Sequence, residues 1–260
     1  MPAIKIGDGT IWYARQGREH TRFPPIVLVH GAGGSHLDWP AQLRRLPDAR
    51  VYALDLPGHG RSTLPGRMAI ADYARDVVAL CDALGLPSVV VIGHSMGAGI
   101  ALTLALDWPE RVAGLVLLGG GAKLRVHPDI LEKIQTDPPA VYRLLRDWMW
   151  GPDAPDALRE MTFQQMLKGD PGVTHGDYVA CNRFDVLDRL EEIAAPALVI
   201  GGTDDRMTPL KFSRTLAERM PAAELVTVEG AGHMLALEQP DVVQNAIVGW
   251  LNRVMTGDSV

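Results

Sequence analysis

Gly93-His94-Ser95-Met96-Gly97 is the stretch of this chain with the clearest chemistry. It follows the apolar run Val89-Val90-Val91-Ile92 and opens a segment, Met96 to Leu106, rich in alanine and leucine. A serine caught between a strand and a helix must turn sharply. The spacing therefore predicts a positive φ at Ser95, a conformation that costs a non-glycine residue about 1–3 kcal/mol. The flanking glycines leave room for the crowded backbone. The hydroxyl would then stand above a sheet at a helix N-terminus, where developing negative charge is stabilised. Those are the requirements of a nucleophile for acyl transfer. The alternative is a chance match in an ordinary turn, which the strand-to-helix context disfavours.

A serine hydroxyl is a weak nucleophile without a base. Of the eight histidines, His233 sits in Gly230-Ala231-Gly232-His233, after the last apolar strand-like run. Parallel strands share one C-terminal edge, so that loop opens where Ser95 emerges; the alternative is a solvated loop histidine. His30 and His94 neighbour the same loops and are expected to fix their shape through hydrogen bonds. His59 lies in a glycine-rich turn, and His20, His36, His127 and His175 read as surface or insertion residues. A carboxylate must orient His233 and stabilise its imidazolium. Asp204 and Asp205 both follow the run ending at Ile200, and neighbours in sequence cannot both face one imidazole nitrogen. The loop Gly119-Gly120-Gly121-Ala122 offers no acid. Donors for an oxyanion are expected from the N–H groups of Ala32 and Met96, each such donor being worth about 2.7–4 kcal/mol. Ala32 lies in His30-Gly31-Ala32-Gly33-Gly34, which lacks the lysine of a P-loop and the G-x-G-x-x-G spacing of a nucleotide loop.

These residues need a scaffold, and the apolar pattern supplies one. Pro25 to His30, Val51 to Leu54, Val89 to Ile92, Leu115 to Leu118, Ala197 to Ile200 and Leu225 to Val228 read as strands. Most are unbroken apolar runs, as expected for strands buried on both faces. Ala71 to Leu84, Met96 to Leu106, Lys211 to Met220 and Val242 to Leu251 read as helices between and after them. The alternation predicts an α/β fold with a mostly parallel sheet and helices on both faces. Ile4 to Tyr13 reads as a hairpin turning at Asp8-Gly9. From about Ala122 to Asp185 the strands stop, and prolines punctuate short helical stretches, which predicts a helical cap inserted between two strands.

The 260 residues suit one large α/β domain with an inserted subdomain, long enough to bury a core without staples. A formal net charge of −6 and no cluster of Lys and Arg argue against a nucleic-acid partner. Cys81 and Cys181 form neither a disulfide framework nor a metal motif, and each is expected as a small buried apolar residue in a reducing compartment. No histidine spacing suggests a metal site. Met1 to Trp12 lacks the pattern of a signal peptide, and no apolar run could span a bilayer. The expectation is a cytoplasmic protein without membrane insertion; oligomeric state leaves no signature.

With Ser95, His233, the aspartate pair and the His30-Gly31 loop in place, the chain resembles the α/β-hydrolase superfamily over nearly its whole length. Within it, the chain is most similar to small capped carboxylesterases. Asp55-Leu56-Pro57-Gly58-His59-Gly60-Arg61-Ser62, the stretch from Gly202 to Pro209, and the chain order serine, acid, histidine also carry the resemblance. In that family the acid lies a few residues after a glycine and shortly before a proline. Gly202 and Pro209 set that frame, and the resemblance implies Asp205 as the acid. It further implies an α/β-hydrolase fold, a mostly parallel twisted sheet flanked by helices, with a core from 1–121 and 186–260 and a cap from 122–185. The reaction it implies is cleavage of a small-molecule ester through an acyl-enzyme on Ser95, with no cofactor and no metal. Serine at the elbow sets the chain apart from the haloalkane dehalogenases and epoxide hydrolases, which place aspartate there. Three other readings share the scaffold: hydrolysis of an activated carbon–carbon bond in a ring-cleavage product, perhydrolysis, and a ligand-binding receptor with low turnover.

The cap is expected to choose the substrate. Trp148, Met149, Met161, Phe163 and Met166, with Gly31 beneath, would give apolar walls for short acyl chains or small aromatic groups. The alternative is that they seat the cap on the core. No cationic pocket is evident; Lys123, Arg125, Arg143 and Arg146 fall in or near the cap, and Arg206 beside the acid.

Overall fold

The computed structural model describes residues 3–255. Residues 1–2 and 256–260, counted above with the core, lie outside the described residues. The strands are β1 (Ala3–Ile6), β2 (Gly9–Gln16), β3 (Ile26–Val29), β4 (Val51–Leu54), β5 (Val89–His94), β6 (Val112–Leu118), β7 (Ala197–Gly202) and β8 (Ala223–Val228). The helices are α1 (Ala41–Arg44), α2 (Ile70–Ala83), α3 (Met96–Asp107), α4 (Pro128–Lys133), α5 (Pro138–Trp148), α6 (Asp156–Met166), α7 (Pro171–Arg183), α8 (Leu210–Arg219), α9 (Leu235–Glu238) and α10 (Pro240–Met255).

The strands form one sheet in the order β1-β2-β4-β3-β5-β6-β7-β8. β2 runs antiparallel to β1 and β4, and the remaining pairs are parallel. The central strands bury both faces, which is why they read as unbroken apolar runs. Ile26 and Leu28 of β3, Ile92 of β5, and Leu198 and Ile200 of β7 pack on one side with Leu43 of α1 and Ile247 and Trp250 of α10. Val27, Val29, Val91 and Val199 pack on the other, with Tyr73 and Val77 of α2, Ile100 of α3 and Leu216 of α8. Each fully buried aliphatic side chain contributes about 1.5–3 kcal/mol of transfer free energy. The chain leaves β3 for β4 on one side and returns to β5 on the other. The loops after β3 and β5 therefore diverge around a crevice at the strands' C-terminal edge, the usual place for a ligand in such a sheet.

The N-terminal hairpin forms, but it turns at Gly7-Asp8 and not at Asp8-Gly9. Ile6 pairs with Gly9, Ile4 pairs with Ile11, and Gly7 has φ +55°. The two registers differ by two positions, so each side chain keeps its face in either. Alternation of apolar residues could not tell them apart.

Between β6 and β7 the chain makes α4 to α7. An antiparallel bridge between Lys123 and Asp185, with an ion pair at 2.8 Å between their side chains, closes the neck of this insertion. Pro128, Pro138 and Pro171 each sit in the first turn of a helix, where the missing N–H costs nothing. The Asp137 and Asp170 carboxylates cap α5 and α7. Ile130, Ile134, Val141, Tyr142, Leu145 and Tyr178 give the insertion a small apolar cluster of its own. Among the described residues no helix is long and apolar enough to cross a membrane.

Candidate active site

Ser95 joins β5 to α3 with φ +54° and ψ −115°. Its N–H donates to the Leu118 carbonyl at 2.9 Å, which ties the turn to the end of β6. Crowding sets the glycines around it. A Cβ on Gly93 would lie 2.2 Å from the Gly97 carbonyl oxygen, and one on Gly97 would lie 2.0 Å from that of Val29. No side chain fits at either position. Met96 opens α3, so its N–H has no acceptor within the helix. Neither it nor the Ala32 N–H finds one elsewhere among the described residues.

The loop that carries Ala32 is held from behind. The Gly31 carbonyl accepts the Gly34 N–H at 3.1 Å and the His30 Nδ1–H at 2.8 Å. In a trans peptide the N–H points opposite to the C=O. Pinning the Gly31 carbonyl therefore directs the Ala32 N–H the other way. His30 Nε2 accepts the Leu56 N–H at 3.0 Å, which fixes its tautomer. Burial, then the charge of His59, pushes His30 down to about 4, so it stays neutral.

On the neighbouring loops His233 Nδ1 lies 2.9 Å from Asp205 Oδ2. Both side chains are buried. Asp205 Oδ1 accepts the N–H groups of Met207 and Thr208 at 2.9 and 2.8 Å, and the Thr208 hydroxyl sits 2.7 Å from Oδ2. Burial alone would raise the Asp205 carboxyl, but the His233 charge and these bonds hold it below its ordinary value. Asp204 instead meets the Thr203 hydroxyl. Behind His233, the His94 Nε2–H donates to the His233 carbonyl at 2.9 Å. Burial, then the His233 charge, pushes His94 down to about 3. The same loop is docked on the insertion. The Met234 N–H donates to the Met149 carbonyl at 3.1 Å, and Glu238 accepts the N–H groups of Gly151 and Gly232 at 2.8 and 3.0 Å.

A cavity of 780 Å³ opens over Ser95 and His233. Gly31 and Ala32 form part of its floor, and Trp148, Met149 and Met166 part of its far wall. Met161 and Phe163, expected in that wall, do not line it. Met161 is 52% exposed, and Phe163 packs within the insertion, with the Arg146 guanidinium over its ring. Helix geometry explains the error. Thr162, Gln165 and Met166 recur at the three- and four-residue spacing of one face of α6, and Met161 and Phe163 fall beside it. The cavity also has cations that gave no sign of direction in the sequence: Arg61, Arg125, Lys168 and Arg206 line it.

Two buried pairs escaped the sequence reading. His36 is buried, and its Nδ1 and backbone N–H both reach Asp55 Oδ1 at 2.8 Å. His59 is buried as well, with Nδ1 2.9 Å from the Pro57 carbonyl and Nε2 2.8 Å from Asp177 of α7. The Asp55-to-Ser62 motif carried one member of each pair. Nothing in the sequence around Asp177 marks it as the partner.

Comparison with known proteins agrees with this fold. The family model described as the alpha/beta hydrolase family matches residues 26–246. A Caulobacter sp. (strain K31) protein named carbamate hydrolase RutD is 32% identical over 246 residues, which cover 87% of this chain and 90% of that one. The structure of a thermophilic esterase superposes with a TM-score of 0.85 at 31% identity, covering 97% of each chain. That of the enol-lactonase from Burkholderia xenovorans LB400 superposes with a TM-score of 0.90 at 24% identity, over 96% of this chain and 100% of the other, a likeness of fold. The match runs from the first strand of the parallel ladder into the last helix, and the chain belongs to the alpha/beta hydrolase family.

Proposed function

We propose that the protein is a serine hydrolase that cleaves small, mostly apolar carboxylic esters. The observation that carries the reading is the strained Ser95 turn on the floor of a cavity that His233, bonded to Asp205, also lines. A non-glycine residue keeps such a backbone only where its surroundings enforce it, and such strain gathers at active sites. In the proposed reaction Ser95 Oγ attacks the ester carbonyl and His233 Nε2 takes its proton. Asp205 holds the Nδ1–H and stabilises the imidazolium. The oxyanion forms between the N–H groups of Ala32 and Met96. The alkoxide leaves with the proton from His233, and water repeats the steps to free the acid and Ser95.

The cavity volume falls within the roughly 300–1,000 Å³ of small-molecule sites. Trp148, Met149 and Met166 in its far wall suit the acyl or alcohol part, and the four helices of the insertion would act as the cap. The relative named a carbamate hydrolase favours one second reading, attack on a carbamate carbonyl by the same groups.

Release of nitrophenol from short nitrophenyl esters tests the proposal. The native chain is expected to turn over, and Ser95→Ala to lose at least about 10⁴-fold in kcat. A folded native chain that cleaves no such ester, but does cleave a carbamate in a Ser95-dependent way, would move the assignment to the second reading.

A further inference from the structure

Asp177 lies on α7 of the insertion, yet it serves the core. It is fully buried. Its Oδ2 accepts the Gly33 N–H at 2.8 Å and lies 2.8 Å from His59 Nε2, and its Oδ1 accepts the Tyr73 hydroxyl at 2.5 Å. The three donors come from three separate parts of the core: the loop after β3, the loop after β4, and α2. Gly33 belongs to the loop that carries Ala32. The bond from the Gly34 N–H to the Gly31 carbonyl closes a four-residue turn, and Gly33, its third residue, has φ +64°. That sign of φ marks the form of the turn in which the central peptide, Ala32–Gly33, is flipped. Either form of a β-turn is accessible to a sequence with glycine at this position. What selects one here is the carboxylate that takes the Gly33 N–H. After a flip the Ala32 carbonyl oxygen would face that carboxylate in place of the N–H.

We propose that Asp177 is a positioning residue for the oxyanion loop: it locks the Ala32–Gly33 peptide, so that an insertion helix sets the geometry of the acyl-transfer site. The proposal rests on the reading of Ser95 as an acyl-transfer nucleophile. The packing of α7 agrees with it. A Cβ on Gly33 would meet Thr174 Cγ2 at 3.2 Å, and one on Gly58 would meet Val173 Cγ1 at 2.8 Å. The helix therefore lies hard against the two loops whose N–H groups it fixes, and Asp177 reaches them without intervening solvent. His59 has a carbonyl and a carboxylate as its two partners, so it donates to both when protonated. The ring thus holds the Asp177 side chain in place from the loop after β4.

Asp177→Ala removes the acceptor. Asp177→Asn keeps the volume but leaves one acceptor oxygen for three donors, so it serves if the alanine variant does not fold. Tyr73→Phe removes another bond of the same carboxylate and leaves Gly33 untouched. Steady-state ester kinetics, the rate at which a fluorophosphonate labels Ser95, and hydrogen exchange at the Gly33 amide are read for each. Asp177→Ala is expected to lower kcat and the labelling rate about 10²-fold with KM nearly unchanged, as for a misplaced catalytic group, and to expose the Gly33 amide to exchange. Asp177→Asn should lie between it and the native chain, and Tyr73→Phe should lower the melting temperature with kcat intact. A folded Asp177 variant with native kcat, or equal losses of kcat in all three variants, would overturn the proposal and leave Ser95 in its role. A native chain that neither hydrolyses nor is labelled overturns the reading of Ser95 and this proposal together.

Discussion

The helix beneath Ser95 and the helix in the far wall of the cavity are built on opposite terms. Residues 96–105 of α3, beneath Ser95, are all buried, whereas α6 in the far wall has no buried residue. One is wedged between the sheet and α2. The other rests on α5 and offers Thr162, Gln165 and Met166 to the cavity and Met161 to solvent. A group that must be held within a fraction of an ångström belongs on the first kind of support. A wall that only selects shape can rest on the second. α7 breaks the division by chain position: it belongs to the insertion in sequence and to the rigid floor in packing, through Asp177.

The largest effect should come from the rigid side. Asp205→Asn keeps the shape of the acid but not its charge, and should lower kcat about 10⁴-fold with little change in KM. Ester kinetics check this, and a loss confined to KM would contradict the contrast.

On the other side, Met166→Ala should change KM across an acyl-chain series by up to about tenfold, the worth of a methylene or two, with kcat nearly constant. Met161→Ala should leave the series unchanged and stability within about 0.5 kcal/mol. If Met161→Ala shifts the series as much as Met166→Ala, α6 presents a different face during turnover.

Strain should show at the elbow. Ser95→Gly relieves the positive φ and should raise the unfolding free energy by up to about 1 kcal/mol, even after glycine's entropy cost, while abolishing turnover. Thermal unfolding measures it, and no gain in stability would mean that the turn is not strained.

The smallest effect separates the His59–Asp177 pair from the His233–Asp205 pair by pH. Burial pushes His59 down, but the charge of Asp177 and the bonds to Asp177 and Pro57 outweigh it, so the folded value lies above 6.5. Its stabilisation is complete below 6.5 and is lost as pH rises through the raised value. Asp205 is the reverse: its contribution is present above 3.8 and is lost as pH falls through its lowered value. Melting temperature against pH should fall on both sides, and His59→Gln should flatten only the alkaline fall.

Much of the cavity floor was legible because its demands are local. A strained serine needs small neighbours on both sides, a doubly buried strand needs an unbroken apolar run, and a helix start tolerates proline. Each leaves its mark within a few residues. Asp205 was narrower: position alone left it level with Asp204, and only the resemblance, with Gly202 and Pro209 as its frame, separated them. The hairpin register was hidden because both turns keep every side chain on its face.

The sequence by itself determined the strand–helix alternation, the turn at Ser95, the loop of His233 and the helical character of the insertion, since these follow from short-range sterics and the period of apolar residues. Only the tertiary structure decided which face of α6 meets the cavity, that Arg61, Arg125, Lys168 and Arg206 line it, and that Asp177 joins His59 across 118 positions of chain. An isolated aspartate on a helix looks solvated until the fold removes the water. Its partners are then set by the approach of loops distant in sequence, which no local pattern encodes.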